Sequence, residues 1–121
     1  MTTPPIVRPG EVMCRLDELP DPSSKLFVLQ FPDGEEVEIF VVRQGDEAHA
    51  YVNECAHQAL PLNDGTDRFL TADNGRILCA MHGATFDVRS GRALSGPALP
   101  DGCLMKVPVS VSDGEIRLAA R

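Results

Sequence analysis

A chain of 121 residues is long enough for one domain with a modest core and too short for separate substrate and cofactor domains. Its 43% hydrophobic and 24% charged residues are ordinary for a globular protein and exclude a disordered or fibrous one. Eleven basic against eighteen acidic residues leave a net charge of -7, which disfavours nucleic acid and anionic lipid as partners and favours a basic patch on another protein.

The N-terminus MTTPPIVRPG lacks the apolar core of a secretory leader, and no stretch approaches the roughly 18 consecutive apolar residues of a membrane helix, so a cytoplasmic protein without membrane contact is expected. Residues 1–9, with three prolines, read as a poorly ordered tail or an edge strand. Ten prolines and ten glycines break the chain often, no long window shows helical spacing, and helix content should be small. Strand signals recur instead. Residues 25–31 and 37–42 are β-branched and aromatic runs joined by Pro32-Asp33-Gly34, a hairpin turn. The acidic run 33–38 suits a solvated hairpin edge that charge protects from further pairing, or a partner-docking face. Residues 48–52 form the next strand and lead into Cys55. Residues 69–71 and 76–78 flank Asp73-Asn74-Gly75, a second hairpin whose outgoing strand delivers Cys79. Residues 85–88, 104–111 and 115–118 complete the set, with turns at Ser90-Gly91 and Ser112-Asp113-Gly114. The expectation is a single, all-β, antiparallel domain.

Four cysteines could form two disulfides, but a reducing compartment argues against that, and two of them sit beside histidines at ligand spacing. Cys55-Ala56-His57 is followed, after residues 58–78, by Cys79-Ala80-Met81-His82. A C-x-H and a C-x-x-H pair supply four donors, two thiolates and two imidazoles, as a closed metal site requires. Structural zinc accepts that set, and so does a pair of sulfide-bridged irons with thiolates on one iron and imidazoles on the other.

The double motif resembles the Rieske family, in which C-x-H and C-x-x-H occupy two loops at the tip of a β-sandwich. His82-Gly83-Ala84-Thr85-Phe86-Asp87 resembles the family's segment after the second histidine, Ser90-Gly91 its turn, and Gly96-Pro97-Ala98 its proline-containing third loop. The resemblance implies one [2Fe-2S] cluster bound by Cys55, His57, Cys79 and His82. It also implies a cluster-binding subdomain, about 53–98, inserted in a β base formed by 10–52 and 99–119. Respiratory and photosynthetic members carry two further cysteines that tie the loops together; here Leu60 and Met81 stand in those places. The same members donate serine and tyrosine hydroxyls to sulfur, whereas this chain has Ala84 and Phe86. Without those donors the reduced state is less stabilised, which places the potential toward the negative end of the roughly -150 to +300 mV Rieske range.

This pattern is similar to the ferredoxins of bacterial aromatic-ring dioxygenases and related oxygenases, which implies electron transfer from a flavoprotein reductase to a terminal oxygenase. Residues 58–78 are longer than the matching stretch of many such ferredoxins, which can alter the docking surface. A second reading is a small subunit of a larger reductase, similar to the nitrite reductase small-subunit branch, and a third is a zinc-stabilised interaction module. No nucleophile or paired acid stands in a recognisable catalytic setting, so the chain reads as a carrier with no substrate of its own rather than an enzyme. His49, with no cysteine at ligand spacing, reads as a surface or half-buried strand residue, and Cys14 and Cys103 as buried free thiols. Leu60, Leu62, Met81 and Phe86 are candidates to pack around the cluster loops, with ordinary core packing an equal account of Leu62 and Phe86.

Overall fold

Ile39, Phe40, Val41 and Val42 are all fully buried, although successive residues of a strand point to opposite faces. A strand of that kind lies at the centre of a layered structure, and the rest of the fold is arranged around it. The structure, a computed structural model, describes residues 4–54, 62, 69–71, 75–79, 83–96 and 102–119. Among them run β1 (Ile6–Val7), β2 (Val12–Arg15), a 3₁₀ turn (Leu16–Glu18), β3 (Ser23–Gln30), β4 (Glu36–Gln44), β5 (Glu47–Val52), β6 (Ile77–Leu78), β7 (Thr85–Phe86), β8 (Ala93–Ser95), β9 (Lys106–Val107), β10 (Val109–Ser112) and β11 (Glu115–Leu118). The all-β expectation holds, with a single 3₁₀ turn as the helical content of the described residues.

The strands form three sheets: a five-stranded one in the order β1-β3-β4-β5-β9, and two three-stranded ones, β10-β11-β2 and β6-β7-β8. In the large sheet β3 and β4 pair from Ser23 with Arg43 to Gln30 with Glu36, and β4 and β5 from Ile39 with Val52 to Gln44 with Glu47. On one face Phe27, Leu29, Ile39, Val41 and Ala50 pack with Ile116 and Leu118 of β11 and with Leu16 and Leu19. On the other, Leu26, Phe40, Val42 and Tyr51 pack with Leu62, Phe69, Ile77, Phe86 and Val88. Arg43 reaches from β4 to the 3₁₀ turn, donating from Nη1 to the carbonyls of Leu16 and Leu19 at 3.0 and 2.7 Å.

Three details depart from the sequence reading. The run 104–111 is two strands, because Pro108 has no N–H for a ladder, so β9 pairs with β5 and β10 with β11. The N-terminal segment is an edge strand, one of its two expected states, but β1 runs parallel to β3, whereas the other ladders among the described residues are antiparallel. The strands β2 and β8 gave no clear periodic signal, since each is short and takes its place from its neighbours. The hairpin 69–78 is present in its flanks, with Thr71 N–H donating to Arg76 O at 2.9 Å and Leu70 bridged to Ile77; turn residues 72–74 lie outside the described residues.

Candidate metal centre

Cys79 follows directly on β6, and its position comes from a short antiparallel ladder. Ile77 faces Phe86 and Leu78 faces Thr85. The pairing continues one step further, with Cys79 N–H donating to Ala84 O at 2.8 Å, and Gly83 N–H closes back on Cys79 O at 2.9 Å. The segment carrying His82 is thus bracketed by two backbone bonds to Cys79, although residues 80–82 lie outside the described residues. Cys79 is fully buried, at the end of a group that includes Leu62, Phe69, Ile77, Ala84 and Phe86.

The first Cys/His pair leaves β5. Cys55, His57 and Leu60 lie outside the described residues, but both flanks of their segment are defined. Glu54 N–H donates to Val52 O at 2.8 Å, turning the chain as it leaves the sheet. Asn53, buried at 6% exposure, accepts the N–H of Leu62 at 2.9 Å on Oδ1 and donates from Nδ2 to Glu38 Oε1 at 3.1 Å. Leu62 is fully buried and Phe69 stacks on Phe40 with ring centroids 4.1 Å apart, so the return of this segment is set into the core.

The third side is β8 and Gly96. Gly96 has φ +91°, and a Cβ there would stand 2.6 Å from Ala84 Cα, so backbone lies directly on backbone and only glycine fits. Thr85 Oγ1 and Ser95 Oγ share a hydrogen bond of 2.6 Å beside that contact. Pro97 and Ala98 lie outside the described residues.

The roots of three loops therefore meet in one place: Leu62 from the first, Cys79 and Ala84 from the second, and Gly96, on Ala84, from the third. These residues fit an iron-sulfur cluster. The described donor is a cysteine without solvent exposure, in the same buried apolar group as Phe86, Leu62 and Phe69, which keeps water from it. Leu62 and Phe86 belong to the main core, as the packing account of them expects; Leu60 and Met81 lie outside the described residues.

The remaining candidates stand elsewhere. His49 is a half-buried residue of β5 whose Nε2 is 3.1 Å from Glu47 Oε1. That hydrogen bond, with Arg89 nearby, holds the Glu47 carboxyl below its usual range. Cys14 and Cys103 are unpaired thiols, but neither is fully buried: Cys14 is half-buried on β2, and Cys103 is exposed. Cys103 is bridged to Arg92, and its side chain shares the outer face of that pair, which is why burial failed as an expectation there. Burial pushes the Cys14 thiol up, with Glu18 adding to the effect. Among the described residues no group of three or more His, Cys, Asp or Glu is gathered for a metal. No helix of the described residues is long and apolar enough to cross a membrane. Sequence reasoning passed over Asn53 and the Thr85-Ser95 pair. A polar residue with both a donor and an acceptor, two positions before the first cysteine, was the one available sign of Asn53.

Comparison with known proteins agrees with this geometry. The chain is 32% identical, over 104 residues covering 86% of it and 75% of the relative, to the ferredoxin component of an alkene monooxygenase system from Xanthobacter autotrophicus. It is 32% identical over the same share of its length, and 88% of the relative, to the 3-phenylpropionate/cinnamic acid dioxygenase ferredoxin subunit of Photorhabdus laumondii. Its fold matches that of the ferredoxin of carbazole 1,9a-dioxygenase from Nocardioides aromaticivorans with a TM-score of 0.67 at 30% identity, covering 95% of this chain and all of that one. Residues 12–111 match the Rieske [2Fe-2S] domain, and with that span covering every loop root just described, the chain belongs to the Rieske [2Fe-2S] family.

Proposed function

We propose that this protein is an electron carrier that holds one [2Fe-2S] cluster through Cys55, His57, Cys79 and His82, takes one electron from a flavoprotein reductase and passes it to a terminal oxygenase. The observation that carries the reading is the meeting of three loop roots around the buried Cys79. Two relatives at 32% identity are named as ferredoxin components of a monooxygenase and a dioxygenase system, which supports an oxygenase as the acceptor. Residues 53–98 are proposed as the cluster-bearing unit on a base of 10–52 and 99–119; sheet β6-β7-β8 falls within the first range, and the two other sheets draw on the base and on β1. A reducing cytoplasm is the proposed location, since it leaves Cys14 and Cys103 as thiols.

When bound, the cluster supplies a one-electron centre whose imidazole ligation raises the potential above that of all-thiolate clusters. The protein's own residues do the rest. Cys55 and Cys79 would present thiolates to one iron, and Cys79 is buried in the same apolar group as Leu62, Phe69 and Phe86, which keeps water from it. His57 and His82 would present one ring nitrogen each to the other iron, leaving the second ring nitrogen of each to hold a proton. Such a proton would be more acidic beside oxidised iron, so the potential would fall as pH rises. Ala84 and Phe86 bring no hydroxyl to the sulfurs, which keeps the potential low within the family.

The test is metal and sulfide analysis of anaerobically purified protein, followed by electron paramagnetic resonance of the reduced state. Iron and acid-labile sulfide in equal amounts, a red-brown colour and a Rieske signal are expected. Zinc alone, or no iron and no acid-labile sulfide, would overturn the reading, whereas a potential flat from about pH 6 to 11 would remove only the proton coupling at the histidines.

A further inference from the structure

The first ligand segment leaves β5 at Val52 and re-enters the core at Leu62, and one buried side chain spans its two ends. Asn53 and Thr85 are the two buried polar residues among the described residues. Asn53 Oδ1 accepts from Leu62 N–H at 2.9 Å, Nδ2 donates to Glu38 Oε1 at 3.1 Å, and its backbone N–H donates to Glu38 O at 2.9 Å. An N–H only donates and an ionised carboxylate only accepts, so these two partners fix the direction in which the amide points. Leu62 is fully buried in the group that holds Cys79, so the Asn53 bond ties the far end of the first segment to the wall that carries the second.

We propose that Asn53 is a positioning residue for the iron-sulfur site: by bonding Leu62 it ties the two described ends of the first ligand segment to the core group that holds Cys79, and so positions the first pair of donors against the second. The inference rests on the ligand assignment proposed above. Under that assignment each loop would supply one thiolate and one imidazole, Cys55 and His57 from the first and Cys79 and His82 from the second, so a shift of one loop against the other would misplace donors of both kinds. The position suits asparagine, because Leu62 N–H and the Glu38 carboxylate demand one acceptor and one donor on a short side chain. Aspartate would set a carboxylate against Glu38, serine cannot span both partners, and leucine would fill the space but leave the buried Leu62 N–H without an acceptor.

The test uses the purified holoprotein and four variants: Asn53→Leu, Asn53→Asp, Glu38→Gln, and Asn53→Asp combined with Glu38→Gln. The readouts are the rate of visible colour loss to EDTA, the g-values of the reduced protein, its midpoint potential, and the far-ultraviolet melting curve. Asn53→Leu is expected to lose the cluster about tenfold faster than the parent, the size set by one buried hydrogen bond, and Asn53→Asp, which keeps that bond but sets a buried carboxylate beside Glu38, should also lose it faster, both with shifted g-values. Glu38→Gln, which keeps an acceptor for Nδ2, should stay within about twofold of the parent. In the combined variant the amide donor comes from position 38 and the carboxylate acceptor from position 53, and the rate should return to within about twofold of the parent.

The proposal is overturned if Asn53→Leu releases iron at the parent rate, or if the combined variant is no slower than Asn53→Asp alone. It is equally overturned if the melting temperature falls while g-values and potential stay unchanged, which would make Asn53 part of the fold alone. Should Asn53→Leu fail to fold, the Asn53→Asp pair of variants decides by the same criteria, since aspartate keeps the acceptor for Leu62. Cys55→Ser separates the two levels: a normal Rieske spectrum in that variant sinks the ligand assignment, whereas loss of the spectrum there with an unaffected Asn53→Leu sinks the positioning role alone.

Discussion

The central sheet and the small β6-β7-β8 sheet solve the same problem with different means. In the central sheet, β3, β4 and β5 run side by side over long ladders, and β4 is buried on both faces. In the small sheet, β6 and β7 have two residues each, and the ladder is completed by loop bonds, a Gly96-Ala84 contact and a shared hydroxyl bond between Thr85 and Ser95. Long ladders and burial hold the first region by themselves. The second relies on close steric fit, single side-chain bonds and, under the proposed function, on metal-ligand bonds that form part of its folding energy. A binding tip built in this way can be specific in geometry while its strands remain minimal.

The sharpest break in that comparison is Cys79→Ala. It should abolish iron and sulfide incorporation, and hydrogen exchange should then rise at Leu62, Leu78 and Gly83 while Phe40 and Val41 stay protected; equal loss of protection in both regions would remove the distinction drawn between them. Next comes Gly96→Ala, in which the new methyl meets Ala84 Cα at 2.6 Å in a left-handed backbone conformation. A loss of about 2 kcal/mol is expected by chemical denaturation, together with faster cluster release, because the third loop must lift from the second.

Tyr51→Phe probes the seam between the regions, since Tyr51 on β5 donates to Val88 O at 2.6 Å within the shared core. It should cost about 1 to 2 kcal/mol by leaving that carbonyl unpaired. Burial, with a contribution from Asp87, pushes the Tyr51 hydroxyl up to about 12. Because the folded value lies above the ordinary 10, the stability linked to it is complete below pH 10 and is lost as pH rises toward about 12, which tyrosinate absorbance would track. The smallest effect belongs to Asp87, which accepts the Ser90 N–H at 2.8 Å and is held below its ordinary 3.8 by the hydrogen bonds from Ser90. Its contribution is present above pH 3.8 and fades as pH falls through the lowered value. Asp87→Asn should therefore cost no more than about 0.5 kcal/mol at neutral pH, and the difference from the parent should close in acid.

Much of the fold was legible in the sequence because its signals are local. The apolar run at 39–42, the Pro32-Asp33-Gly34 hairpin, and Asp113-Gly114, both at positive φ as a tight hairpin turn requires, each report their structure within a few residues. The two Cys/His pairs were equally readable, since donor type and spacing are written in consecutive residues, and the structure sets Cys79 of the second pair at the end of β6. Other features depend on partners far along the chain. The parallel docking of β1 on β3, the exposure of Cys103 and the placement of β8 are set by neighbours with no local trace.

Asn53 is the clearest case. Alone it is a polar residue at the end of a strand, and its meaning arises when Glu38 and Leu62 are brought to its two ends. The sequence by itself determined the strand pattern and the donor chemistry, because periodicity and ligand type are properties of short segments. Only the tertiary structure decided which loops meet, what covers them and which side chain closes them, because burial and hydrogen-bond satisfaction are properties of the packed whole.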